Sequence, residues 1–435
     1  MRIQDHLGKI TWTMLDKGLF VGYGLIRLLQ VSKMEPSEFG LFALLDALVL
    51  AIATLSDSFS LQSIVKFGSN HTIRQKINSL ALISHVGLSM LVALIIYFLR
   101  FPLSQSFNEP GLIHVGAMLP LLCFVTLPRI MAVKYLLRET NMRSVFFVNA
   151  AWFFSMGLLT IFFLQKQEQL LLQDMIVIAG TGSLAGSVLG ISLALPHMKF
   201  TIPDLSSVKV FYRFGLYQVA WTMPATIMRQ LDLYFVQFFF GATVVGIFQS
   251  AKTLFRFFES IIDGISGLYY PALVRIHARN DKAAERAITS KIISFSMFAM
   301  ICIVIALHLG IGEWMITTFL SEKYAHAYKH FALLMNSAII LPMTITAIVY
   351  IVHDAMNKLL FNAIVSCIVG IIISIFIGLS GHEQLVAFGT IAYTVTFSIL
   401  GIRYAMSEGL FKPSDFFRAI PDTIAFVKHS LFSKA

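Results

Sequence analysis

The feature that most constrains this chain is a succession of apolar stretches of membrane-spanning length, separated by short polar breaks. Residues 78–99, for example, contain no Asp, Glu, Lys or Arg. A helix that crosses a bilayer needs about 20 mostly apolar residues. Runs of that order fall at 10–32, 39–62, 78–99, 112–133, 145–164, 172–195, 214–238, 243–269, 289–309, 331–352, 360–380 and 384–405. Composition agrees: 57% of the 435 residues are hydrophobic and only 13% charged, where soluble domains carry about 25% charge. A soluble body of this size would lack the polar groups to cover its surface. The expectation is an all-α polytopic membrane protein of about 12 transmembrane helices, with no room for a sizeable soluble catalytic domain.

Cys123, Cys302 and Cys367 each sit within an apolar run, without CxxC spacing, and read as packing residues rather than disulfides or metal ligands. The first apolar run is interrupted by Asp16 and Lys17, and no small-residue cleavage site follows it. It reads as a retained first span.

Placing the N-terminus in the cytoplasm puts most of the 33 lysines and arginines in inside loops and the two termini. The opposite loops hold only Lys33, Arg100, Lys166, Lys323 and Lys329. By the positive-inside rule both termini are cytoplasmic, and topology accounts for most of the +10 net charge. No sustained basic run points to nucleic acid.

The polar break at 196–213 separates six spans from six. The expected organisation is an N-terminal six-helix bundle (1–195), a cytoplasmic inter-bundle linker (196–213), a C-terminal six-helix bundle (214–405) and a cytoplasmic amphipathic tail (406–435). In that tail Phe416, Phe417, Ile420, Phe426 and Phe432 alternate with basic residues, as in a helix lying on anionic lipid or a partly disordered tail. An internal echo supports two related halves. Span two opens with Phe39-Gly40-Leu41-Phe42 and span eight with Val245-Gly246-Ile247-Phe248, and in both an aspartate, Asp57 or Asp263, follows seventeen positions after the glycine. A second echo pairs Leu119-Pro120-Leu121 with Leu341-Pro342-Met343 at a larger offset, which a longer loop after span eight would reconcile. Six spans per half return the chain to the same side, so the repeat is parallel, about a pseudo-two-fold axis normal to the bilayer, with a central cavity at the seam.

Charges inside the spans are numerous, although each ionised group at mid-bilayer costs several kcal/mol unless it meets water or a partner. Span eight carries Lys252, Arg256, Glu259 and Asp263 at spacings of four, three and four, hence on one helical face. Span seven has Arg229 and Asp232, span one Lys17 and Arg27, span two Asp46 and Asp57, and span four Arg129 after Pro128. One reading is a water-filled cavity whose cations hold an anionic ligand while the carboxylates exchange a proton or cation. The bland reading is internal ion pairs, such as Arg229 with Asp232 or Arg256 with Glu259, that only fix packing. Lys17, Asp57 and Arg27 are also close enough to span ends to snorkel.

Gly182, Gly186 and Gly190 form small-xxx-small steps that read as close helix packing. The GxGxxA pattern at Gly180 and Gly182 follows no strand and is not a dinucleotide site. His326 and His330 are four apart, as in a metal pair or a bland interfacial helix. Pro120, Pro128, Pro224 and Pro342 fall within spans and should bend them. No Walker loop, HExxH or GxSxG is present, so neither ATP hydrolysis nor hydrolase chemistry has support and the chain does not read as an enzyme.

The twelve-span layout, the Glu38-Phe39-Gly40-Leu41-Phe42 and Val244-Val245-Gly246-Ile247-Phe248-Gln249-Ser250-Ala251 openings, and the Phe319-Leu320-Ser321-Glu322-Lys323-Tyr324 stretch resemble the O-antigen or polysaccharide flippases of the multidrug/oligosaccharidyl-lipid/polysaccharide exporter (MOP) superfamily. The resemblance covers nearly the whole chain. It implies two six-helix bundles around a cationic cavity in the bacterial inner membrane. It also implies movement of a polyprenyl-diphosphate-linked oligosaccharide from cytoplasmic to periplasmic leaflet, beside a polysaccharide polymerase and chain-length machinery. Basic residues on helices one, two, seven and eight of such relatives face the diphosphate, which by helix corresponds to Arg27, Arg229, Lys252 and Arg256 here; Arg129 is a further candidate cation. The second helix departs from that scheme, offering Asp46 and Asp57 and no cation.

The expected mechanism is alternating access without a cofactor, with Asp232, Glu259, Asp263, Asp57 and Asp46 as candidates for proton or sodium coupling. A cation-coupled multidrug antiporter of the same superfamily is the nearest alternative, although its cationic substrates would favour an acidic cavity. A membrane-bound glycan polymerase or acyltransferase would need a large loop carrying an acid, base or nucleophile, and none is present.

Overall fold

A computed structural model of the protein describes residues 3–68, 70, 72–417 and 421. Twelve long helical segments occur among them: α1 (Ile3–Ser32), α2 (Pro36–Lys66), α3 (Arg74–Ser106), α4 (Gly111–Arg138), α5 (Met142–Lys166), α6 (Leu172–His197), α7 (Leu205–Phe240), α8 (Ala242–His277), α9 (Lys282–Leu320), the two-piece α10 (Ala327–Ala338 and Leu341–Val352), α11 (Met356–Ser380) and α12 (Glu383–Ser407). Each falls on one of the twelve runs expected from sequence. No strand is present among the described residues.

Eight of these helices are long and apolar enough to cross a membrane, and α10 makes a ninth if its two pieces, bent by 53°, count as one span. The remaining three, α1, α7 and α8, are equally long but carry many of the intramembrane charges. The bend in α10 coincides with Pro342 in the first turn of its second piece. Pro120, Pro128 and Pro224, by contrast, lie inside helices that continue through them. A proline removes one hydrogen bond and crowds the preceding turn, but it does not by itself end a helix whose flanking turns are packed.

The chain forms two compact units, Met1–Gly246 and Ile247–Ala435. In the first, α4 packs on α3 and α6, α5 packs on α6 and α1, and α2 packs on α4. The Gly182-Gly186-Gly190 face of α6 permits this: added Cβ atoms would meet Met156, Arg129 with Trp152, and Ala132, respectively. One core cluster centres on the fully buried Tyr135, Leu61, Ile77, Val148 and Phe211. The α2 helix widens into a π-helical turn at Asp57–Leu61, against which α7 packs. A Cβ at Gly215 of α7 would fall on the Phe59 carbonyl oxygen, and Thr222 donates to Ser58 Oγ at 2.8 Å.

In the second unit α11 packs on α12, and α10 packs on α12 and α9. The α9 helix is interrupted at Leu307–Ile311, where Gly310 takes φ of 108°, a left-handed conformation that glycine adopts without a Cβ penalty. Most of the expected tail helix lies outside the described residues, including Ile420, Phe426 and Phe432. Of what is described, Phe411 is buried against Ile293, Met297 and Ala405, with Phe416 beside them, while Arg286 donates to Asp415 at 3.1 Å. Phe417 is exposed.

Candidate substrate site

In the first unit the expected site cations Arg27 and Arg129 do not stand alone. Arg27 is buried on α1, and its Nη2 lies 3.2 Å from Asp46 Oδ2 on α2. The Arg27 guanidinium also sits over the Phe42 ring at 4.5 Å, an attraction between cation and ring face. The Asp46 side chain remains 51% exposed, so the pair is desolvated on the arginine side only. Asp57, in the π-helical turn, lies 2.9 Å from Lys134 Nζ on α4 and accepts from Gln62 Nε2 at 2.9 Å. The two residues are 77 positions apart, so spacing along the chain does not reveal this pairing.

Arg129 is held differently. Its guanidinium lies 3.5 Å from the centroid of the Trp152 ring and donates to Asn149 Oδ1 at 3.3 Å. Asn149 Nδ2 in turn donates to Asp16 Oδ1 at 2.8 Å, so a polar chain joins α4, α5 and α1. Gly186 leaves the space beside Arg129 that a Cβ would occupy. Tyr23 extends the aromatic wall by stacking on Phe153, at 4.6 Å between centroids. Asp16, Asn149 and Trp152 were missed from sequence, because only packing brings three separate helices to one guanidinium.

On α7, Asp232 is buried, and its Oδ1 accepts from the Leu233 backbone N–H at 2.8 Å. Arg229 lies on the same helix three residues earlier; its side chain lies outside the described residues.

In the second unit, Lys252, Arg256, Glu259 and Asp263 share one face of α8. Lys252 is buried, with Nζ 5.5 Å from the Phe248 ring centroid. Arg256 and Asp263 are exposed and Glu259 is half-buried. Among the described residues Arg256 forms no ion pair, and the Arg256–Glu259 pair of the bland reading does not form. Exposed charges on a helix of this length cannot face hydrocarbon without a cost of several kcal/mol each.

A family model described as "Polysaccharide biosynthesis protein" matches residues 25–329, and no curated protein matches the chain. Among solved structures, the chain is similar to the lipid II flippase MurJ in an inward closed conformation, with a TM-score of 0.76 and 14% identity over 97% of this chain and 93% of that one. It is also similar to an inward-facing multidrug resistance MATE family transporter of the MOP superfamily, with a TM-score of 0.68 and 14% identity over 89% and 94%. A third similar structure, a MOP superfamily transporter from Pyrococcus furiosus described as having a binding pocket of reverse polarity, gives a TM-score of 0.58 and 14% identity over 92% and 95%. At these identities the likeness is one of fold. The family match spans well over half the chain, so the protein belongs to the polysaccharide biosynthesis protein family, and it shares the fold of these solved structures.

Proposed function

We propose that the protein is a flippase that carries a polyprenyl-diphosphate-linked oligosaccharide, an O-antigen or other surface polysaccharide repeat unit, from the cytoplasmic to the periplasmic leaflet of a bacterial inner membrane. The observation that carries this reading is the α8 face, where Lys252 is followed one turn later by an exposed Arg256 without an ion pair among the described residues. Family membership adds polysaccharide biosynthesis as the setting.

In this reading Lys252 and Arg256, with Arg229 and Arg27, take the diphosphate and first sugars into a hydrated cavity while the lipid tail stays in the bilayer. Arg27 meets the headgroup by exchanging its Asp46 contact for phosphate oxygens, and Arg129 remains clamped to Trp152 as a further source of positive potential. A diphosphate diester carries about two negative charges, so an inside-negative potential favours outward movement by roughly 4–5 kcal/mol per 100 mV. Asp232, Glu259 or Asp263 couple a proton or sodium ion to the return.

Flipping of the lipid-linked oligosaccharide in vesicles, with Lys252 and Arg256 both changed to Gln, tests the cation role. The expected result is loss of transport, and an unchanged rate would overturn the proposal. The second reading is a cation-coupled drug antiporter. It is favoured by the carboxylates Glu259 and Asp263 on the same accessible face and predicts cationic-drug efflux that depends on them.

A further inference from the structure

The ends of four helices in the second unit converge on a cluster to which the proposed function assigns no role. His277 is the last residue of α8, Glu285 lies in the first turn of α9, His353 directly follows α10 and Glu408 directly follows α12. His277 Nδ1 lies 2.8 Å from Glu285 Oε1, and His353 Nε2 lies 3.3 Å from Glu285 Oε2. One carboxylate is therefore flanked by an imidazole on each oxygen, with the two rings 4.6 Å apart.

The Glu285 side chain is 2% exposed, and among the described residues no lysine or arginine pairs with it. A buried carboxylate needs a compensating positive charge. Only the imidazoles are placed to bring one, and their geometry leaves a gap. Glu285 Oε2 and His353 Nε2 are both buried and face each other, yet neither has a hydrogen-bond partner. The other ring nitrogen of His353, Nδ1, faces Glu408 Oε2 at 3.8 Å. With the proton on Nδ1, on the Glu408 side, the Nε2 lone pair turns toward Glu285. Two lone pairs then meet across 3.3 Å, an arrangement that a cation between them relieves.

We infer that His277 Nδ1, His353 Nε2 and Glu285 bind one divalent transition-metal ion of the zinc class, which ties the ends of α8, α9 and α10 together. The three donor atoms lie within 4.8 Å of one another. A tetrahedral ion with bonds of about 2.0–2.2 Å sets its donors roughly 3.4 Å apart, the scale of the separations already present. Two imidazoles and one carboxylate suit zinc, cobalt or nickel and disfavour calcium and magnesium, which take oxygen ligands. Glu408 occupies the position of the outer carboxylate that orients a ligating histidine. The His277 side chain is 40% exposed, so solvent can reach the site to supply a fourth ligand and an entry path.

The test uses the full-length protein in detergent, stripped of metal with a chelator and titrated with Co²⁺ alone. Saturable uptake of one equivalent with the intense visible absorption of four-coordinate cobalt, displaced by Zn²⁺, is the expected result. Zn²⁺ should also raise the thermal unfolding midpoint of the unmutated protein, a readout that needs no variant to fold. His277→Gln, at a half-exposed position, should weaken Co²⁺ binding at least tenfold, and Glu408→Gln about 10- to 100-fold. No saturable uptake, a weak octahedral cobalt spectrum, or unaltered uptake by His277→Gln would overturn the site and leave the cluster holding a proton only. None of these readouts depends on lipid transport, so failure here is distinct from failure of the flippase reading.

Discussion

Gly40 and Gly246 meet reciprocally. A Cβ on Gly40 would fall on the carbonyl oxygen of Ala242, four residues before Gly246, and a Cβ on Gly246 would fall on the carbonyl oxygen of Pro36, four residues before Gly40. Each glycine thus receives the preceding turn of the other helix. These are the glycines of the Phe39-Gly40-Leu41-Phe42 and Val245-Gly246-Ile247-Phe248 echo. The aspartates of the same echo are not equivalent. Asp57 is paired with Lys134 in a π-helical turn, whereas Asp263 is exposed on α8 without an ion pair among the described residues.

Gly40→Ala and Gly246→Ala should each destabilise the protein by about 1–3 kcal/mol or more, because the obstacle is backbone rather than a side chain that can rotate away. Once one substitution has pushed the helices apart the second costs less, so the double variant should fall short of the sum. Thermal unfolding in detergent checks both statements, and additive losses would contradict the reciprocal contact.

Asp46→Asn should lower stability by roughly 1–3 kcal/mol, because it leaves the buried Arg27 without its carboxylate, with the half-exposed Asp46 side chain keeping the loss moderate. Replacing both as Arg27→Met and Asp46→Leu should recover much of that loss. If Arg27 also grips the diphosphate, the double variant should be stable yet slow in flipping, a separation that unfolding and transport assays on the same preparation will show.

Trp152→Leu should cost about 2 kcal/mol through loss of the ring under Arg129 and of its packing. Gly186→Ala should perturb the same site from the other side, since the new methyl meets the Arg129 stem. A change in the environment of Trp152 makes tryptophan fluorescence the direct measurement for Gly186→Ala.

Acid sensitivity has an identifiable contributor outside the spans. Asp204, the N-cap of α7, is held well below the usual carboxylate range by hydrogen bonding from Ser207 and by Lys76. A carboxyl lowered in the folded state stabilises fully above its unfolded value of about 3.9 and loses that contribution as pH falls below it. Asp204→Asn should therefore be less stable than the parent at neutral pH, with the difference shrinking on acidification below about pH 4. Unfolding midpoints measured from neutral to acid pH check this.

On the proposed flippase reading, outward flipping should accelerate when vesicles are clamped inside-negative and slow when the potential is reversed, by up to roughly 4–5 kcal/mol per 100 mV if both diphosphate charges cross the full field. A rate indifferent to a potassium–valinomycin clamp would mean that the cargo moves with its charge compensated.

The sequence by itself determined the all-helical class, the number of lipid-length segments and the face of α8 on which Lys252, Arg256, Glu259 and Asp263 lie. Those properties depend on local hydropathy and on a 3.6-residue period, both of which act within one helix. It also marked Gly182, Gly186 and Gly190 as packing positions, since small residues four apart leave a groove wherever they occur. Which charge meets which partner was decided only by tertiary structure. Arg27 finds Asp46, Asp57 finds Lys134, Arg129 finds Trp152 and Asn149, and Glu285 finds His277 and His353. Most of these groups stand on different helices. Electrostatic and stacking forces act over a few ångströms, so their partners are fixed by how helices dock and rotate against one another, which spacing along the chain does not encode.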